Sequence, residues 1–257
     1  IFLMKQYLEL LKDIRDNGIW KDDRTGTWVR GLFGMQAKYD LREWFPLVTT
    51  KKTFLRGIVV ELIWLIRWET NIKYLVDRDV HIWDEWPFQN YIDSNELNEI
   101  FPKYSEDWFK EKTLFIEKIK SLPENDQFVI QYWDLGPVYG HQWRNFNSEW
   151  VDQLKNAINQ IKTNPTNRRI IISAWNPAQI DQMLLPPCHA FFQFNVDTTN
   201  NVLQLALSAQ NVDFGTFINH SYFLFIKIKS VWISSTFLSH ASHLFASLKY
   251  RGIHFSK

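Results

Sequence analysis

The sequence predicts an α+β fold, with helices packed on a sheet. Helical patterns dominate the chain up to about residue 165, and a run of strands follows. Those strands are RIIISAW, HAFFQFNV and VLQLALS, and the last two flank DTTNN, a polar turn that makes a hairpin.

Taken in order, YLELLKDIRDNG sets Tyr7, Leu8, Leu11 and Ile14 on one helical face, with Gly18 as a stop. FLRGIVVELIWLI is apolar on most sides and predicts a buried helix. Residues 93–127 are charged and only weakly amphipathic, which predicts a helical insertion on the periphery. WVDQLKNAINQIKTNP predicts a helix with Val151, Leu154, Ile158 and Ile161 in register.

The 257 residues suit one large domain or two small ones, and no repeat or low-complexity tract divides them. A formal charge of +1 provides no overall field to attract nucleic acid or an acidic membrane surface. Apolar stretches such as IVVELIWLI are too short to cross a bilayer and contain an acid. IFLM lacks the basic flank and long apolar core of a signal peptide, and Met4 reads as the natural start. The single cysteine excludes an intrachain disulfide framework and fits a reducing, cytoplasmic setting.

That cysteine, Cys188, stands in LLPPCHAFFQF, where Pro186 and Pro187 stiffen the approach to a strand and remove two backbone donors. A thiol held there serves as a nucleophile if nearby positive charge keeps it ionised; the competing reading is a small core residue. His189, one residue on in a strand, points to the opposite face, which argues against a Cys–His dyad. Arg168 and Arg169 sit together at the mouth of a strand, where guanidinium forks suit a phosphate or form a solvated basic edge. Arg24 lies in DDRTGT, whose backbone and hydroxyl donors suit a phosphate; the alternative is an ordinary turn. Glu61 is a carboxylate in an apolar helix, and burial there raises its proton affinity and suits proton transfer; the alternative is a structural hydrogen bond. Trp83 and Trp86 in IWDEW share one side if helical, as a stacking wall or as core.

Together these stretches closely resemble the thymidylate synthase family. The matching runs are MKQYLELL, DDRTGT, FPLVTTKK, IWDEW, DLGPVYGHQWR, NPTNRRIIISAWNP and LPPCHAFFQF, in the family's order over about residues 4–207. The resemblance implies helices packed on a mixed β-sheet, a single domain over residues 1–257, and a homodimer whose sheets face each other. It implies reductive methylation of dUMP to dTMP with 5,10-methylenetetrahydrofolate as co-substrate, and no metal, membrane or nucleic acid. Cys188 matches the nucleophile that adds to C6 of the uracil ring. Glu61 matches the carboxylate that organises proton transfers, and Tyr139 a tyrosine near the C5 proton path. Arg24 matches a phosphate ligand, and Arg168 and Arg169 the pair lent across the dimer to the partner's phosphate. Lys51, Trp83 and Trp86 match the folate side. The arginines also help keep the thiol ionised.

Beyond Leu207 the resemblance fades, so residues 208–257 read as diverged or truncated. Asn211, Val212, Gly215, Asn219, Ser221 and Tyr222 retain a trace of the family pattern, which places Asn219 at the uracil edge and Asn211 and Gly215 on the folate side. His243 matches a nucleotide-site histidine. Ser208 stands where the family has a phosphate arginine, Asn211 replaces an aspartate, Ala241 another, and Phe245 a tyrosine. The pattern admits a diverged member or a reading-frame lesion. Three functions follow: the synthase with weakened activity, a non-catalytic relative, or a hydroxymethylase that shares the nucleophile.

Overall fold

The chain begins with a helix stopped where its sequence stops it. α1 (Lys5–Asn17) ends at Gly18, whose amide donates to the Ile14 carbonyl at 2.9 Å. This structure, a computed structural model, describes residues 5–22, 29–42, 53–209 and 212–213. The buried face of α1 runs through Tyr7, Leu10 and Ile14, so it is rotated from the expected one; Leu8 is exposed and Leu11 half-buried.

Two strands that helical periodicity did not suggest come next. β1 (Ile19–Lys21) and β2 (Val29–Leu32) pair antiparallel, with Lys21 opposite Val29. Then α2 (Leu55–Ile66) buries Ile58, Val60, Glu61, Trp64 and Leu65, as its all-round apolar pattern requires. The short α3 (Lys73–Val76) and α4 (Glu85–Ser94) lead into α5 (Glu106–Ser121). Ser105 starts α5 by accepting from the Trp108 amide, with Glu106 and Asp107 in its first turn and Lys118 and Lys120 in its last, matching the helix dipole.

The stretch at 93–127 is helical as expected, but it is not merely peripheral. Trp108, Phe115 and Ile119 of α5 are buried in the main apolar cluster, where Phe88 meets Trp108 at 5.0 Å and Phe115 at 5.3 Å between ring centres. Lys73, itself buried, reaches the end of α5, donating to the Ile119 carbonyl at 3.1 Å while pairing with Asp77 at 2.9 Å. The weak amphipathicity misled because one narrow stripe, Trp108, Phe115, Ile116 and Ile119, does the burying.

α6 (Gln127–Tyr132), α7 (Gly140–Arg144) and α8 (Gln153–Thr163) complete the helices. On α8 only Ala157 is buried; Leu154 and Ile161 pack against the core and Ile158 is exposed, while exposed Val151 lies before the helix, bridged to Phe146, a second correction to the expected face.

The three late strands form as predicted: β3 (Ile170–Ser173), β4 (His189–Asp197) and β5 (Val202–Ala209) make an antiparallel sheet in the order β3-β4-β5. The hairpin turn is closed by Asp197, whose Oδ1 accepts from the amides of Thr199 and Asn200. A second sheet, β1-β2-β6, is completed by β6 (Val212–Asp213). Where a mixed sheet was expected, the described strands form two sheets whose pairs are all antiparallel. Phe192, Phe194 and Val196 face the core, while Ile171 and Phe191 remain exposed on the other face. No helix among the described residues is long and apolar enough to cross a membrane.

Candidate active site

The site is built where α2, the turn before α4, the start of α7 and the start of β4 converge. After two prolines, the first amide available as a donor is that of Cys188, and it bonds the Tyr139 hydroxyl oxygen at 2.7 Å. Cys188 is half-buried. Tyr139, fully buried, begins α7 at φ 24°, a region that side-chain-bearing residues rarely enter and that costs about 1–3 kcal/mol.

The neighbours of Tyr139 hold it there. Gly140 follows it so closely under α2 that an added Cβ would lie 2.1 Å from the Leu65 carbonyl oxygen. Gly136, at φ 78°, passes the backbone of Gln182 with no space for a side chain, and Leu184 donates to the Leu135 carbonyl at 2.9 Å. These contacts staple the segment bearing Tyr139 to the loop bearing Cys188. A buried amide network reinforces the staple. Gln142 donates to the Pro137 carbonyl and to Gln179, both at 2.8 Å, and accepts from Asn176 at 3.1 Å.

Glu61 lies on the buried side of α2, 6% exposed, with Oε1 accepting from the Trp83 indole at 2.8 Å. Burial pushes its carboxyl up to about 7, and the indole donor partly offsets the rise. Trp83 stands edge-on to Tyr139, with ring centres 6.0 Å apart. Burial raises the Tyr139 phenol well above its ordinary range, and negative charge at Cys188 and Glu61 pushes the same way. Cys188, Tyr139, Trp83 and Glu61 therefore form one connected group: a thiol, a neutral phenol and a carboxyl that changes protonation near neutrality. Such a group can join nucleophilic addition to proton transfer.

Other expected residues fall differently. Trp83 precedes α4 instead of sharing its face with Trp86; it is buried, and its polar end holds Glu61. Trp86 is half-buried beside it, at 5.6 Å between ring centres. His189 is buried with Phe192 and Phe194, because a bulge between His189 and Phe191 breaks the strand's alternation; its ring centre is 6.2 Å from that of Tyr139.

Arg168 and Arg169 are exposed, and no side-chain hydrogen bond or ion pair within the described residues engages either guanidinium. They precede β3, whose far end meets Ala190 through Ala174. At about 3.3 Å per residue, Arg169 lies roughly 16 Å along the sheet from that end. Their own chain does not bring them to Cys188. Arg24, Lys51, Asn211, Gly215, Asn219 and His243 lie outside the described residues, as do Ser221, Tyr222, Ala241 and Phe245. Ser208 is described: it pairs with Phe191 across the β4-β5 ladder and shares its face.

A family model described as thymidylate synthase matches residues 5–228. The chain is 45% identical over 201 residues to a thymidylate synthase of Malacoplasma penetrans, covering 77% of this chain and 64% of that protein. It is 45% identical over 195 residues to that of Mesoplasma florum, covering 75% and 62%. With that of Mycoplasma mobile it shares 50% identity over 210 residues, covering 82% and 67%. The chain thus spans slightly less than two thirds of the first two relatives. A model match over most of the chain, with identities far above chance, leads to one conclusion: this chain belongs to the thymidylate synthase family.

Proposed function

We propose that the chain catalyses reductive methylation of dUMP to dTMP. The observation that supports this best is the Cys188–Tyr139–Glu61 group. Cys188 as thiolate adds to C6 of the uracil ring, and the electron pair moves to C5 and the C4 carbonyl. 5,10-Methylenetetrahydrofolate supplies the one-carbon unit and, on leaving, the hydride that makes it a methyl group, so it departs as dihydrofolate. Glu61 and Tyr139 handle the protons: the C5 proton must be removed, and the O4 charge must be balanced. Return of the electron pair then expels the Cys188 thiolate unchanged. Half-buried Trp86, backed by buried Trp83, is proposed for the pterin side, with Lys51, Asn211 and Gly215.

The phosphate is assigned to Arg24 together with Arg168 and Arg169 from a second copy. The distance of the arginine pair from its own Cys188, and the exposed Ile171 and Phe191 on the outer sheet face, support a two-fold homodimer joined sheet to sheet. Asn219 and His243 are proposed for the nucleotide. The buried cluster running from Val60 to Leu203 supports one domain, and a single thiol used in reduced form suits the cytoplasm.

Tritium release from [5-³H]dUMP with 5,10-methylenetetrahydrofolate tests the proposal. Release at about 1–10³ per second, lost in Cys188→Ser, is expected of a competent enzyme. Ser208 favours a second reading: a hydroxyl in place of a guanidinium fork weakens phosphate binding, and absent release with an intact fold would identify a non-catalytic relative.

A further inference from the structure

We infer that His81 and Asp84 are positioning residues that hold the Trp83 indole on Glu61. This rests on the proposed proton-handling role of Glu61 and adds the device that sets it. Trp83 sits in a short turn between Val80, whose amide donates to the Leu75 carbonyl, and α4, where the Phe88 amide bonds the Asp84 carbonyl. Within the turn, side chains close the loop: His81 Nδ1 and Asp84 Oδ2 are 2.7 Å apart, spanning Trp83. Asp84 is 5% exposed, and its Oδ1 is buried without a hydrogen-bond partner in the described structure.

A carboxyl buried with one oxygen unsatisfied is costly, so a helix start would be better served by a solvated cap. Asp84 does no such capping, as its side chain accepts no amide of α4. Its one described hydrogen bond is spent on His81, and the product of that bond is a fixed turn. The result reaches Glu61 directly, since the indole hydrogen bond at 2.8 Å favours the charged carboxylate. The charged groups around Asp84 are His81 from its own turn and Lys112 and Lys120 from α5; Glu61 itself faces Trp83 and the Tyr139 phenol.

For Asp84, positioning and simple charge effects predict opposite signs. Deleting the Asp84 charge alone lowers the proton affinity of Glu61, because a nearby negative charge is gone. Releasing Trp83 raises it, because a donor to the carboxylate is gone. The test follows the infrared carbonyl band of protonated Glu61, isolated by subtracting the Glu61→Gln spectrum, across pH 5–9 in the full chain. Asp84→Ala and His81→Ala are expected to raise the midpoint by about one pH unit, a roughly tenfold change in proton affinity. Asp84→Asn, which keeps an acceptor for His81 but carries no charge, is expected to leave the midpoint at or below the original. His81 is 45% exposed in its side chain, so its truncation spares the core and carries the comparison should Asp84→Ala not fold. An unchanged or lowered midpoint in folded His81→Ala overturns the inference, as does Asp84→Asn shifting as far upward as the alanine variants. If Glu61 in the unmodified chain titrates as an ordinary carboxyl near 4.3, the proton-handling reading of Glu61 falls first, and this inference with it.

Discussion

The Tyr139 hydroxyl oxygen stands 2.7 Å from the Cys188 amide nitrogen, 49 residues away in sequence. One phenol thereby fixes the loop that carries the thiol. Tyr139→Phe removes that bond, at a cost of about 1–3 kcal/mol. Urea unfolding is expected to show the loss, and thiol titration with a bulky disulfide reagent a faster reaction at Cys188. Unchanged stability and reactivity together would show that the bond does not hold the loop.

Glu61 predicts a pH dependence of stability. Its proton affinity in the folded chain corresponds to about 7, against a reference value of 4.5. The folded state therefore binds the proton more tightly than the unfolded one. Its stabilising contribution is complete below the unfolded value, falls between about 4.5 and 7, and is gone above that window. The span corresponds to about 3 kcal/mol. Glu61→Gln is expected to flatten this fall, measured as urea midpoints from pH 5 to pH 8.

Gly140→Ala tests the approach of α7 to α2. The new Cβ would lie 2.1 Å from the Leu65 carbonyl oxygen and 2.8 Å from its carbon, and both are backbone atoms that cannot rotate aside. A loss of about 3 kcal/mol or more is expected in thermal or urea unfolding. A near-neutral result would mean that the two helices separate readily.

Lys73→Met tests the docking of the segment at 93–127. The buried ammonium joins Asp77 to the carbonyls at the end of α5, and methionine fills the space without donating. About 2–3 kcal/mol of destabilisation is expected. Hydrogen exchange should accelerate across Phe115–Ser121 more than in β4. Uniform acceleration would show that α5 is not a separately docked unit.

Arg168→Ala and Arg169→Ala are expected to leave the stability of the isolated fold within about 0.5 kcal/mol, since neither side chain is buried. Each should weaken dUMP binding by roughly ten- to a hundredfold, the value of one or two charge-assisted bonds. Mixing either variant with Cys188→Ser should restore part of the activity if the arginines serve a partner's site. Calorimetry and complementation assays read the two effects.

The sequence by itself carried the residue types of the site and the periodic elements. Cys188 after two prolines, Glu61 in an apolar helix and the hairpin around DTTNN are all local patterns, and local patterns are written in adjacent residues. The failures were also local rules, overruled by packing. A stripe of Trp108, Phe115 and Ile119 drew a polar-looking segment into the core. The face of α1 rotated toward Leu10 because its neighbours, not its own periodicity, decided which side was covered. Only the tertiary structure could place the Tyr139 oxygen on the Cys188 amide or the Trp83 indole on Glu61, because each contact joins segments distant in sequence. The chemistry of a side chain is intrinsic to the residue; its proton affinity and its reach are set by what the fold packs around it.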